Sequence, residues 1–323
     1  MPKVITIGAA VKDVFLTPSD VPLVKNKKLF TGGSGLCLEV GGKYEASEIF
    51  YDTGGGATNA AATLRSLGIS CGVQTKIGND ISGYEIISDL MKRKVSTQNV
   101  HIDKNFGTGF SIILQFPSGD RSIVVYRGAS SKFETKDLVA SRLVSEWFYL
   151  TSVKGNSAFV KKVFSIAKKN RTKVFWNPGL REIKMGVKKL KPFLTQTNVL
   201  SVNREESYML SGKSTLDEAA VVLGSYAKLV VITDGKKGAY VFSLDQLYYI
   251  PSTGSKPLNT TGAGDAFGSG FLAGLIKYDD WQPAVKVGVW NADGVVQKMG
   301  AKHGLITKLP SKAQMLKIKI KKV

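Results

Sequence analysis

Residues that serve redox and metal chemistry are scarce in this chain. Only two cysteines, Cys37 and Cys71, and two histidines, His101 and His303, occur in 323 residues. The cysteines form no CxxC pair and the histidines lie far apart, so the pattern supports neither a disulfide scaffold nor a zinc site. Long apolar runs are missing too. The opening MPKVITIGAAVKDVFL is too short and too β-branched for a spanning helix, and no small-residue cleavage site follows it. A cytoplasmic protein that starts on a buried strand and has no membrane partner is expected.

Acidic residues are few as well, 25 against 45 lysines and arginines, for a formal charge of +20. Cations facing phosphates dominate non-specific nucleic-acid binding, so that class has to be considered first. The distribution argues against it. Lys161, Lys162, Lys168 and Lys169, or Lys184, Lys188, Lys189 and Lys191, are spread over helical surfaces. No zinc finger, helix-turn-helix spacing or aromatic and basic interleaving accompanies them. A solvated lysine-rich surface without a nucleic-acid partner is the expectation. The tail LKIKIKKV alternates apolar residues and Lys from Leu316 to Ile320, as a charged edge strand would; a basic arm is the competing reading.

What the chain does contain is a strand and helix rhythm. With 43% hydrophobic residues it can bury a substantial core. Val4 to Ile7, Cys71 to Ile77, Trp147 to Leu150, Val174 to Trp176, Val199 to Val202 and Leu229 to Thr233 read as short buried strands. Helical patterns stand between them, as at Asn59 to Leu67, Tyr84 to Lys92, Ala158 to Lys169 and Thr215 to Ser225. The alternation predicts an α/β fold, a parallel sheet covered by helices on both faces. Two stretches break it. Leu16 to Tyr51 is Gly-rich, and Thr108 to Tyr126 reads as strands Gly109 to Phe116 and Ser122 to Tyr126 joined by a turn at Pro117 to Asp120. They are expected to form a small antiparallel sheet that covers a ligand cleft.

The most informative run is LNTTGAGDAFGSGFLAGL, from Leu258 to Leu275. Gly262, Ala263 and Gly264 carry little side chain, so backbone N–H groups can meet a phosphate at a helix N-terminus, where the peptide dipoles favour negative charge. Asp265 follows them, placed to take a proton. A second cluster, Gly54, Gly55 and Gly56 before Thr58 and Asn59, lets backbone and an amide approach a polar ligand closely. Alone it is equally a packing turn. Other phosphate chemistries fail: Gly212-Lys213-Ser214 has Ser207 where a P-loop needs Gly, and no HRD or DFG triplet occurs.

Taken together the two clusters resemble the signatures of the ribokinase-like family of carbohydrate and nucleoside kinases, the PfkB group. The first is met by Gly54, Gly55, Asn59, Ala61, Gly68 and Gly78, the second by Asn259, Thr260, Gly262, Ala263, Gly264, Asp265, Ser269, Gly270 and Phe271. The resemblance spans essentially the whole chain. It implies one kinase domain, residues 1–323, with a Rossmann-like, mostly parallel central sheet and a small β lid from insertions at about 14–52 and 106–127. It implies ATP-dependent transfer to a hydroxyl of a sugar-like acceptor, with Mg²⁺ accompanying ATP. It further implies that Asp13 holds acceptor hydroxyls with Gly54, Gly55 and Asn59. Asn203 and Glu206, in an NxxE element, would organise phosphates and Mg²⁺, Glu206 through water. An Asn with Glu three residues on also reads as a helix cap. Thr233 and Gly235 would lie near the nucleotide, where a hairpin turn is the plainer alternative, and Asn291 would line the adenine pocket.

Departures from that pattern bear on detail. Many members carry Asp where this chain has Asn259, beside a monovalent cation; the missing charge weakens the case for K⁺. Arg127 and Lys154 suit an acceptor bearing a carboxylate or phosphate, and equally suit a basic surface. Pentose, hexose, sugar acid, sugar phosphate and nucleoside all stay open as acceptors. A non-catalytic sugar-binding regulator on the same fold is a further alternative, against which the intact GAGD cluster argues. Members often dimerise through their lids, and Phe110, Ile112, Leu114 and Phe116 would permit a homodimer there.

Overall fold

Apolar runs of four or five residues, rich in β-branched and aromatic side chains, cannot satisfy both their faces alone and so stack into a sheet with helices on either side. The computed structural model describes residues 1–19, 21–30, 33–115 and 121–323. The chain opens with β1 (Val4–Ile7), then β2 (Val11–Pro18), the hairpin β3 (Leu23–Lys25) and β4 (Ser34–Leu36), and β5 (Ala46–Gly54). Next come α1 (Gly56–Ser66), β6 (Cys71–Gly78), α2 (Ile81–Lys92), β7 (Ser96–Asp103), β8 (Gly109–Gln115) and β9 (Arg121–Tyr126). The middle holds β10 (Trp147–Leu150), α3 (Ser157–Asn170), β11 (Lys173–Trp176), α4 (Leu180–Ile183), α5 (Gly186–Leu194), β12 (Val199–Asn203), α6 (Arg204–Ser211) and α7 (Leu216–Gly224). The last part holds β13 (Val230–Thr233), β14 (Ala239–Ser243), β15 (Gln246–Ile250), α8 (Ala263–Tyr278), α9 (Trp281–Val296), α10 (Lys312–Lys317) and β16 (Lys321–Lys322).

Ten strands form the central sheet in the order β16-β15-β14-β13-β12-β11-β10-β1-β6-β7. From β7 to β13 every pair is parallel, and β14, β15 and β16 close one edge antiparallel. Side chains divide between the faces as period two demands. Phe148, Leu150, Val230 and Ile232 enter one core, under α3 to α7; Tyr149, Phe175 and Val231 enter the other, with α1, α8 and α9.

The lid is a four-stranded sheet, β5-β2-β8-β9, whose central pair β2 and β8 is parallel and whose outer pairs are antiparallel. It begins at Val11, earlier than the insertion expected from about residue 14, so Asp13 is itself a lid-strand residue. The expected turn at Pro117 to Asp120 and the strand end at Phe116 lie outside the described residues. The tail corrects another expectation. Ser311 and Gln314 form a reciprocal capping box that starts α10, so residues through Lys317 are helical, Ile318 plugs the core, and only Lys321–Lys322 pair with β15. Local capping outweighs the alternating pattern there. No helix among the described residues is long and apolar enough to cross a membrane. Cys37 and Cys71 are free thiols, the first exposed and the second buried.

Candidate active site

β1 is flanked by β6 on one side and β10 on the other, so the strand order reverses at β1 and leaves a crevice outside the carboxyl ends of the strands. The loops that leave those ends build a cavity of about 360 Å³. Ala9 follows β1, Thr151 and Ser152 follow β10, Asn177 follows β11, and Glu206 stands in the first turn of α6. Lid strands contribute Asp13, Ser111 and Val125, and the start of α8 contributes Asp265 and Thr261. A second cavity, about 600 Å³, lies against the same helix start through Thr260, Ala263 and Gly264. Thr233 and Gly235 line it, and Pro257, Phe267, Val289 and Val296 give it an apolar wall that suits a planar base.

The turn between the cavities depends on glycine at one position. Gly262 caps α8 with φ +77°, and a Cβ there would lie 2.4 Å from the Ala301 Cβ. Gly264 is different, since a Cβ on it would meet nothing within 4 Å. The Ala263 N–H donates to the Thr260 carbonyl at 3.3 Å, while the N–H groups of Gly264 and Asp265 have no protein acceptor among the described residues. A helix start with free N–H groups is an anion site. The Thr261 hydroxyl, buried and without a partner among the described residues, adds a donor beside it.

Asp265 accepts a hydrogen bond from Asn59 Nδ2 at 2.8 Å. Burial pushes its carboxyl above the ordinary carboxylate range, and the Asn59 amide pulls the other way. Asn59 Oδ1 is buried with no donor among the described residues, which leaves an unused acceptor next to Asp265. Asp13 is 6% exposed, and its strand register sets it between Asp52 on β5 and Ser111 on β8. Burial drives its pKa up to about 6, the Ser111 hydroxyl opposes this, and Asp52 adds to it. Gly54 is required beside it, because a Cβ there would stand 2.0 Å from Asp13 Oδ2. Gly55, at φ +98°, turns the chain into α1 where a Cβ would strike the Ala9 carbonyl oxygen at 2.4 Å.

Asp13 therefore sets site function against stability. Its folded pKa of about 6 lies above the ordinary 3.8, so the folded state holds the proton more tightly, and this group's contribution to stability falls as pH rises between those values. At neutral pH the buried carboxylate costs roughly 2–3 kcal/mol. Asp13→Asn is expected to raise Tm at pH 7 while weakening acceptor binding, and wild-type acceptor KM is expected to climb below about pH 6. A variant with lower Tm and unchanged KM would refute both.

Other anticipated residues fall into place unequally. Asn203 and Glu206 make the capping box of α6, with Asn203 Oδ1 accepting from the Glu206 N–H and Glu206 Oε2 accepting from the Asn203 N–H, each at 2.8 Å. Glu206 also lines the lid-covered cavity, its Oε1 without a partner among the described residues, and burial raises its pKa; Asn203 lines neither cavity. Asn291 does not reach the nucleotide cavity. Its Nδ2 donates to Thr63 Oγ1 at 3.2 Å and the Ala266 carbonyl at 2.8 Å, and its Oδ1 accepts from the Ile306 N–H at 3.1 Å. Fully buried and satisfied, it ties α9 to α8 and α1. Asn259 Oδ1 accepts from the Thr261 N–H at 2.6 Å and shapes the turn.

Several residues of the site were not anticipated. Thr151, Ser152 and Asn177 are polar residues that directly follow apolar strands, a signal readable from the switch-point rule. Lys302 had no such signal. It is buried, and its ammonium pairs with Asp89 at 2.8 Å and hydrogen-bonds Thr53 at the base of β5. Burial works upward on Asp89, but Lys302 outweighs it and holds that carboxyl down to about 2.

Two cavities that meet at one helix start with unpaired N–H groups among the described residues have the layout of a small-molecule kinase. The model of the pfkB family carbohydrate kinases matches residues 1–308, and the chain belongs to that family of ATP-dependent sugar kinases. Ribokinase of Staphylococcus aureus is 27% identical over 312 residues, covering 94% of this chain and 96% of its own. Cytidine kinase of Thermococcus kodakarensis is 26% identical over 257 residues, 76% of this chain and 88% of its own. The solved structure of an E. coli protein, provisionally a Ribokinase II, in complex with ATP and Mg²⁺ has a TM-score of 0.76 at 21% identity, covering 94% of this chain and 96% of that one.

Proposed function

We propose that this chain transfers the γ-phosphoryl group of ATP to a hydroxyl of a sugar or sugar-like acceptor, with Asp265 as general base and the backbone of Gly262, Ala263 and Gly264 as the anion cradle. One observation supports this above others: Asp265 opens into the lid-covered cavity while Ala263 and Gly264 open into the other. The two reactants thus meet across a single turn. Asp13, Asn59, Gly54 and Gly55 hold the acceptor, and Asn59 fixes the Asp265 carboxylate so that its second oxygen faces the hydroxyl. Thr233 and Gly235 hold the nucleotide.

Catalysis of phosphoryl transfer is mostly positioning and charge stabilisation. Free N–H groups at the start of α8 would supply the second, and Asp265 would accept the hydroxyl proton. Bound Mg²⁺ would neutralise phosphate charge. No group of three or more His, Cys, Asp or Glu gathers among the described residues, which suits an ion that arrives with its phosphates and is held by a carboxylate such as Glu206 through water. A neutral Asn259 removes one negative charge that would favour K⁺, so exchanging K⁺ for Na⁺ is expected to leave the rate unchanged; a strong K⁺ dependence would overturn that expectation. The enzyme would act in the cytoplasm, as one kinase domain whose lid begins at Val11, without nucleic acid.

The lid's outer face carries Ile49, Tyr51, Ile112, Val124 and Tyr126 exposed, and we place a homodimer contact there, testable by sedimentation. The function is tested by ADP release from ATP and Mg²⁺ over sugars, sugar acids, sugar phosphates and nucleosides. Acceptor-dependent ADP release supports it. Binding of acceptors without turnover by any of them would favour a non-catalytic regulator.

A further inference from the structure

We infer that the natural acceptor carries an anionic group, a carboxylate or a phosphate, held by Arg127 and Lys154 while its reactive hydroxyl lies against Asp265. This rests on the kinase reading of the lid-covered cavity. Both cations line that cavity, Arg127 from the strap that leaves β9 and Lys154 from the loop that leaves β10. They arrive from separate elements, the lid and the body, and neither forms an ion pair with any carboxylate among the described residues. Two unpaired cations sharing one cavity repel each other and need an anion.

The loop that presents Lys154 is built, not incidental. Lys154 adopts φ +63° and Gly155 follows at φ +74°, so two successive residues are left-handed. For a lysine this conformation costs about 1–2 kcal/mol and persists only where surroundings enforce it. Glu182 enforces it: the carboxylate, 1% exposed, accepts from the N–H groups of Val153 at 2.9 Å, Gly155 at 2.8 Å and Gly179 at 3.1 Å, and from Ser152 Oγ at 3.2 Å. Its oxygens are spent on the loop and leave the ammonium unneutralised.

Arg127 lies near enough to Lys154 for the two charges to oppose each other. The Lys154 pKa is lowered to about 8, chiefly by burial, with Arg127 and Arg181 adding to the fall and Glu182 opposing it. Asp13, Glu206 and Asp265, the carboxylates of the same cavity, stand on other elements, β2, α6 and α8. The cavity thus joins carboxylates that would bind hydroxyls to a cationic end where Arg127 and Lys154 meet. A neutral sugar would leave the cationic end desolvated and unpaired. A sugar acid or sugar phosphate would complete it, Arg127 through its planar fork.

Calorimetric binding and ADP release with matched probes, glucose, gluconate and glucose 6-phosphate and the ribose, ribonate and ribose 5-phosphate set, test the inference. At least one anionic probe is expected to bind roughly tenfold or more tightly than its neutral counterpart, with carboxylate and phosphate arms separating the two sources. Arg127→Gln and Lys154→Gln are expected to remove that preference with unchanged Tm. Wild-type affinity for the anionic probe should fall above about pH 8, and Lys154→Arg should move the fall upward. Neutral and anionic probes bound alike, no anionic probe bound, or both Gln variants unchanged would overturn the anionic acceptor. Turnover of neutral sugars alone would do so while sparing the kinase reading, and charge-dependent binding without ADP release would do the reverse.

Discussion

Asp265→Asn is expected to lower kcat by roughly 10²–10⁴-fold while ATP and acceptor affinities stay within a fewfold. The substitution keeps shape. Asparagine at this position can still accept the Asn59 Nδ2 hydrogen bond through its own carbonyl, so the link between α1 and α8 survives. What it cannot do is take a proton. Because burial already raises the Asp265 carboxyl, the amide also relieves a desolvation cost, and Tm should not fall. Loss of turnover with intact binding and stability would isolate proton acceptance from positioning. Residual activity within tenfold of wild type would assign the carboxylate to helix capping instead, and the developing charge would then be met by backbone alone.

Gly262→Ala and Gly264→Ala should move stability in opposite directions and activity in the same one. At Gly262 the new methyl meets Ala301 at 2.4 Å in a left-handed residue, so the turn must shift. Strain of about 1–2 kcal/mol joins an overlap worth about 1–3, and kcat should fall roughly a hundredfold or more as the N–H groups leave their alignment. At Gly264 the methyl finds open space inside a helix, which by propensity should stabilise the fold by about 0.5–1 kcal/mol. That space is cavity, so the same methyl would stand where a phosphate is expected, and KM for ATP should rise. Thermal unfolding with steady-state kinetics separates the pair. A Gly264→Ala enzyme with wild-type KM would place the phosphates elsewhere.

How far the sequence speaks differs by element. Val4 to Ile7 and Trp147 to Leu150 were readable to the residue because strands buried on both faces carry unbroken apolar runs. The edge strand Ser96–Asp103 was not, since STQNVHID is half exposed and polar. The tail was misread because alternation over a few residues cannot be told from a short helix unless the cap at Ser311 is weighed. In the site, the helix start at Gly262 and Asp265 was legible because the glycines and the carboxylate that mark it lie within one turn. Asn291 misled because position along a helix does not say which face looks at ligand, and it looks at α1. Lys302 was invisible, as its partners Asp89 and Thr53 lie more than two hundred residues away in the chain.

The short stretch Gly300–His303 touches both the lid and the start of α8. Ala301 abuts Gly262, Lys302 grips Thr53, His303 sits 3.7 Å from Asp52, and a Cβ on Gly300 would strike Asp52 at 2.3 Å. For protein engineering this divides the molecule. Lid positions such as Ile113 and Val125 line the lid-covered cavity and are the ones to randomise for new substrates, whereas Thr53, Asp89 and residues 300–303 tie the lid to the start of α8 and are the ones a productive library would keep constant.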